Sequence, residues 1–273
     1  MRWLLALLTA ASIVSCGQEQ ATRQRVMPEN NLNLEDRFFA TSMSEVTFNQ
    51  VIDSVEKVYR PIIAGLGGQL VIERNWWDST VNAYAERQGD VWKVSMFGGL
   101  ARRPEITPLG FMMVLCHEVA HHIGGYPTYQ NDWASNEGNS DYAGVSSCMK
   151  KVLANTPNNV QFLSPVAVSK CKRYYKGQKL RVCYNVMSGA KSCANLLGAL
   201  GGATPSFDTP DKSVVQSTSD AHPAAQCRLD TMSNAAVCQA PWDDRVIPNR
   251  SNYKMYSCTV GSEDFRPRCW FAN

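Results

Sequence analysis

Apolar residues fall at Val51, Ile52, Val55, Val58, Tyr59, Ile62 and Ile63, a spacing of three and four that gathers them on one face of a helix. Ser44 is an N-cap candidate ahead of the run, and the helix is expected to stop near Gly65, with Gly67 and Gly68 beyond it. The period then changes. Residues 69–76 and 90–97 read as strands, the second alternating Val91, Lys93 and Ser95 with Trp92, Val94 and Met96, and Gln88-Gly89-Asp90 supplies a turn ahead of it. Thr107 can cap and Pro108 can fill the first turn of an apolar helix over residues 109–123, which Gly124-Gly125 then terminates. A further helix is expected over about residues 136–154. This order predicts an α+β fold in which a small mixed sheet packs beside a helical core.

The N-terminus follows a different pattern. Arg2 precedes an apolar run at residues 4–14 that suits an export signal and falls short of the roughly 20 residues needed to span a bilayer. The run closes on Ile13-Val14-Ser15-Cys16, which resembles a lipobox, so residues 1–16 read as a lipoprotein signal ending at a lipidated Cys16. The mature chain is then expected in a bacterial cell envelope, facing the periplasm and held to a membrane by its lipid. Gly17 carries no charge that would argue for inner-membrane retention, which favours the outer membrane. Residues 17–43 are polar and lack a sustained apolar period, so they are expected to form a tether. Residues 44–240 form the main domain, and residues 241–273 a cysteine-containing extension packed on it.

Export bears on the ten cysteines, because disulfides form and persist outside the cytosol. With Cys16 set aside one thiol must remain over, and Cys116, inside the apolar helix, is expected to be that one. The other eight allow 105 pairings; Cys171 and Cys183 are near in sequence, as are Cys258 and Cys269. A hydrophobic content of 44% across 273 residues suffices for one sizeable core. The net charge of +3 is carried by scattered basic pairs such as Arg102-Arg103 and Lys150-Lys151, which excludes nucleic acid as an expected partner.

Only four histidines occur in the chain, and two of them fall in His117-Glu118-Val119-Ala120-His121. At about 3.6 residues per turn they stack on one face of the 109–123 helix, one turn apart, where both can grip one ion. Glu118 is rotated by about 100° from His117, so it borders that face and can reach a water beside the metal without ligating. A catalytic zinc takes three protein ligands and keeps one open position. Glu137 is assigned as the third, with Asp141 four residues on to hydrogen-bond the far nitrogen of a ligating histidine. Asp132 is the competing carboxylate, in the loop between the helices. His122 and Cys116 point about 100° away from the ligands and read as packing residues. Tyr84 and Tyr126 are oxyanion-donor candidates that can equally be packing.

These residues resemble the gluzincin metallopeptidases, and within them the family holding the CAAX prenyl protease, the HtpX-like heat-shock proteases, the OMA-type mitochondrial proteases and the periplasmic BepA-like peptidases. Four segments carry the resemblance over residues 80–228: Asn82-Ala83-Tyr84-Ala85 with the strand leading to Gly99-Leu100, the His117 motif, Glu137 with Asp141, and His222-Pro223 followed by Arg228. The resemblance implies a zincin-like helical core with the sheet beside the active-site helix, and one zinc ion per chain. It makes Asn82 and Ala83 candidate contacts to an extended substrate and sets Arg228 beside the ligands with Asp141. It places His222 near the zinc, as a donor in the transition state or as a reversible ligand that shuts the site. The chain departs from the family in having no apolar run of membrane-spanning length, and in an insertion between Asp141 and His222 that carries Cys148, Cys171, Cys183 and Cys193.

The expectation is therefore a zinc endopeptidase acting on polypeptides of the envelope in quality control, with Glu118 as general base. Two rivals are a zinc-gated chaperone or assembly lipoprotein with little proteolysis, and a hydrolase of cell-wall amides. Cys16→Ser is expected to move the full-length chain from the membrane to the soluble fraction on cell fractionation; unchanged partitioning of that full-length chain would refute lipid anchoring.

Overall fold

The computed structural model describes residues 23–30, 32, 43–129, 133–157, 160, 163–259 and 261–272. The signal segment with Cys16 and most of the stretch assigned to a tether lie outside them. The tether expectation fails where it can be examined: β1 (Arg23–Arg25) is a strand, and Val26 and Met27 after it are fully buried. Its polar Arg-Gln-Arg sequence carries no strand signal of its own. The pairing partner supplies it.

α1 (Glu45–Gly65) is capped by Ser44, whose hydroxyl accepts the Thr47 amide, and it buries Phe48, Val51, Ile52, Val55, Tyr59 and Ile63. β2 (Gln69–Asn75), β3 (Ala83–Gln88) and β4 (Val91–Phe97) follow. The chain turns between β3 and β4 at Gly89, whose φ of +59° a residue with a Cβ rarely adopts. The sheet order is β1-β3-β4-β2, with β2 parallel to β4 and the other pairs antiparallel. β3 was not expected as a strand, because Asn82 and Glu86 interrupt its apolar alternation, yet both are buried.

After the single turn α2 (Gly98–Ala101), Thr107 caps α3 (Pro108–Ile123) by accepting the Gly110 amide. Every α3 residue from Gly110 to Ile123 is buried, because the helix is enclosed between the sheet, α1 and the helices that follow. α4 (Glu137–Ala143) is capped by Asn136 and continues without a break into a π-helical stretch (Gly144–Met149) and α5 (Lys150–Val152). The helix expected over residues 136–154 is thus present, with a π-helical stretch at its centre.

α6 (Pro165–Tyr174), α7 (Gly177–Gly201) and α8 (Ala225–Val237) complete the helical layer. α7 packs on α3 through small residues: a Cβ on Gly110 would lie 2.0 Å from Ser192 Oγ, and one on Gly189 would lie 2.7 Å from the Leu109 carbonyl oxygen. Large apolar side chains, among them Val182, Val186, Met187, Leu196 and Leu197, fill the remainder of its buried face. Among the described residues, no helix is long and apolar enough to cross a membrane. The fold is α+β, as expected.

The cysteine expectation is corrected. Cys116 is bonded to Cys148, tying α3 to the π-helical stretch, and the free thiol among the described residues is buried Cys193 on α7. An apolar helix did not exclude a disulfide, because its partner comes from another buried helix. Cys171 joins Cys183, while Cys227–Cys269 and Cys238–Cys258 fasten the C-terminal segment to α8. Closing loops of this size stabilises by about 3–4 kcal/mol each in the chain-entropy account.

That C-terminal segment carries Trp270, which is fully buried with its indole N–H donated to Thr231 Oγ1 at 2.9 Å. A Cβ on Gly138 would lie 2.1 Å from the Trp270 ring, so α4 approaches the indole as closely as only glycine permits. Gly138→Ala is expected to destabilise the fold by about 1–3 kcal/mol through overpacking, read as a lower Tm. An unchanged Tm would show that Trp270 is free to move.

Candidate metal centre

α3 and α4 present three potential ligands to one point. His117 Nε2 lies 3.3 Å from Glu137 Oε2, and His121 Nε2 lies 3.6 Å from Glu137 Oε1. One ligand atom from each of the three residues falls within 4.8 Å of the others, and all three side chains are buried. Helical spacing accounts for the histidine pair, and the Asn136 cap fixes the first turn of α4, where Glu137 stands.

The outward nitrogens of the histidines are occupied. His117 Nδ1 lies 2.8 Å from Asp141 Oδ1, and His121 Nδ1 lies 2.7 Å from the Ser135 carbonyl oxygen and 2.9 Å from Ser140 Oγ. A carboxylate and a carbonyl can only accept, so each Nδ1 carries the proton and each Nε2 lone pair faces inward. Asp141 is itself clamped by Arg228, whose Nε and Nη2 donate to its two oxygens at 2.6 and 2.8 Å. The role expected for Asp141 is the one its geometry allows, and Arg228 stands behind it. Tyr129 donates to Glu137 Oε1 at 2.9 Å, leaving Oε2 toward the centre.

Electrostatics follow from burial and these partners. Burial alone would raise the Asp141 carboxyl, but the Arg228 charge and His117 outweigh it and hold it low. Glu137 is likewise held low against its burial, by the neighbouring His117 and His121 and by the Arg228 charge. Burial pushes His121 down to about 3. Glu118 differs: it is fully buried, neither of its oxygens has a hydrogen-bond partner, and burial pushes its carboxyl up to about 8. His117 Nε2, His121 Nε2, Glu137 Oε2 and both Glu118 oxygens are buried polar atoms without a hydrogen bond. Leaving such groups unpaired is costly. Five acceptor atoms with no donor among them cannot satisfy one another, whereas one divalent cation, with water at Glu118, would pair with the whole set. Two imidazole nitrogens and one carboxylate are a donor set that zinc accepts.

His222, in the segment before α8, has its Nε2 3.6 Å from Glu137 Oε2 and 2.8 Å from the Arg25 carbonyl oxygen, to which it donates. Asn136 holds that segment by donating to the Ser219 carbonyl and to Asp220. Asn82 and Ala83 stand at the start of β3, where both are buried and bonded to the backbone of residues 26 and 27. Their partner in this structure is therefore the chain itself. His122 stacks between Trp92 and Trp133, Tyr84 packs on Phe97 and Arg23, and Tyr126 on Tyr253, which makes all three packing residues. Cys16 and Asp132 lie outside the described residues. Sequence reasoning missed Tyr129, Ser135 and Ser140; only Ser140, between Glu137 and Asp141, had a position that could have signalled it.

A scan of protein-family models, a search of curated proteins and a search of solved structures each return no match.

Glu137→Gln is expected to lose most of the bound zinc, and Asp141→Asn to weaken zinc binding by about 10–100-fold by freeing the His117 ring. Metal content after dialysis against graded chelator checks both, and full retention by Glu137→Gln would move the third ligand to another residue.

Proposed function

We propose that this chain is a zinc-dependent endopeptidase. The observation that carries the reading is the convergence of five buried, unbonded acceptor atoms from His117, His121, Glu137 and Glu118. Three belong to residues with ligand geometry and two to a carboxylate set beside them. A purely structural zinc site closes with four protein ligands and has no use for a further carboxylate.

His117, His121 and Glu137 would hold the ion, with Asp141, Arg228, the Ser135 carbonyl and Ser140 keeping both rings turned inward. When bound, zinc would polarise a substrate carbonyl and make water acidic enough to be activated near neutral pH. Glu118 takes the proton of the attacking water and delivers it to the leaving amine, a task suited to a carboxyl raised toward neutrality. His222 Nε2–H is placed to donate to the carbonyl oxygen as negative charge grows on it. The edge of β3 that β1 covers in this structure is built to give backbone hydrogen bonds to an extended polypeptide, with Asn82 beside it.

Residues 1–16 and the resemblance to the gluzincin family support the finer setting: a lipoprotein brought to the membrane through Cys16, facing the periplasm, that cuts unfolded or unassembled envelope proteins. Fold and site agree with a zincin-like arrangement, in which the sheet lies along the helix bearing the histidines.

The test pairs bound zinc with digestion of an unfolded protein. Glu118→Gln is expected to keep its zinc while digestion falls by at least about 10²-fold. If wild type and variant both bind zinc and digest nothing, the peptidase reading fails and polypeptide binding without cleavage takes its place.

A further inference from the structure

The cleft beside the metal centre is filled by the chain itself. Residues 23–27 run antiparallel to β3, with Arg25 opposite Tyr84. The Val26 amide donates to the Ala83 carbonyl at 3.3 Å. The Met27 amide donates to Asn82 Oδ1 at 3.3 Å, and Asn82 Nδ2 returns a bond of 3.3 Å to the Met27 carbonyl. Arg228 donates through Nη1 to the Val26 carbonyl, and His222 Nε2 donates to the Arg25 carbonyl at 2.8 Å. Each of these contacts is to backbone, so the cleft as built would accept any extended polypeptide with a suitable side chain at each position.

The register is specific. Hydrolysis of a peptide bond needs a donor at its carbonyl oxygen and a proton for its nitrogen. The carbonyl of Arg25 meets His222, which lies 3.6 Å from Glu137. The carbonyl of the next residue, Val26, is held by Arg228, which also clamps Asp141. The Arg25 carbonyl thus faces a donor that stands beside the third ligand, as the reacting carbonyl of a cleaved bond requires. A segment serving only as an edge strand needs neither contact.

We infer that residues 23–27 are bound as an intrachain substrate and that Arg25–Val26 is the chain's own processing site, an inference that rests on the peptidase reading above. Water adds its oxygen to the Arg25 carbonyl carbon and the bond to the Val26 nitrogen breaks. The water proton passes through Glu118 to that nitrogen. The products are a carboxylate on Arg25 and a new amino terminus at Val26, and Cys16 with its lipid leaves on the fragment, so the cut also releases the domain from the membrane. Until that bond is cut and the fragment leaves, no other polypeptide can enter, so the first cleavage is in cis. The buried Val26 also assigns a preference for a small apolar residue after the cleaved bond.

The full chain, produced with zinc, is followed by intact mass and N-terminal sequencing, and the intact form by amide hydrogen exchange. In the wild type a chain beginning at Val26 is expected, formed at a rate that does not change over a tenfold dilution of protein. Glu118→Gln and Val26→Pro should both retain the upstream residues, the second because proline removes the N–H that Ala83 accepts. In intact Glu118→Gln the Val26 and Met27 amides should exchange at least tenfold more slowly than in an unstructured peptide of the same sequence. Exchange at the peptide's rate overturns the inference, as does cleavage of Val26→Pro after Arg25. A wild type that digests an unfolded protein yet keeps Arg25–Val26 intact also overturns it while leaving the peptidase reading standing. A wild type that binds zinc and cuts neither fails both.

Discussion

Asp141 is a carboxylate with almost no access to water, and a charge in that position survives only if its surroundings supply partners. Arg228 supplies two hydrogen bonds from α8 and His117 one from α3. Three helices that are far apart in sequence are thereby fixed against one another at one side chain. The orientation of His117 follows from it, and Arg228 in turn reaches the backbone of Val26. Removing either partner would leave a buried charge uncompensated, an error far costlier than the loss of one surface ion pair. The precision of the centre derives from this constraint more than from the histidine helix alone.

Elements with local signals were legible in the sequence. α1, β2, β4 and α3 each carry a period, a cap or a turn residue, and the His117 motif needs nothing beyond helical geometry. Glu137 and Asp141 were legible for the same reason, since two carboxylates four apart on a capped helix share a face. What was not legible depends on partners elsewhere in the chain. β1 is a strand because β3 offers an edge, and Arg-Gln-Arg gives no sign of it. The close approach of α7 to α3 at Gly189 and Ser192 depends on what lies opposite those small residues. Cys116 was misread because an apolar environment says where a thiol lies and not what lies opposite it. The carbonyl of Ser135, which orients His121, belongs to the backbone and could not be read from any side chain.

The sheet and the centre meet along α3. The strand that β3 offers at its edge and the histidines that α3 offers on its inner face border the same space. Asn82 bonds both carbonyl and amide of one residue, the way a neighbouring strand would. The α+β arrangement therefore joins a strand that binds the backbone of residues 23–27 to the candidate metal centre. Neither layer would do this alone.

Two of the cross-linked cysteines directly precede residues of the centre in sequence: Cys116 stands before His117, and Cys227 before Arg228. The oxidation state of the surroundings is therefore written into the alignment of the ligands. While these thiols are reduced, α3 is not covalently held to the π-helical stretch, nor α8 to the C-terminal segment, and the stabilisation of each closed loop is missing. A chain still in a reducing compartment would carry the same sequence with a looser centre. The order of maturation then becomes a safeguard, because the alignment of the candidate ligands is completed only where the cysteines can pair.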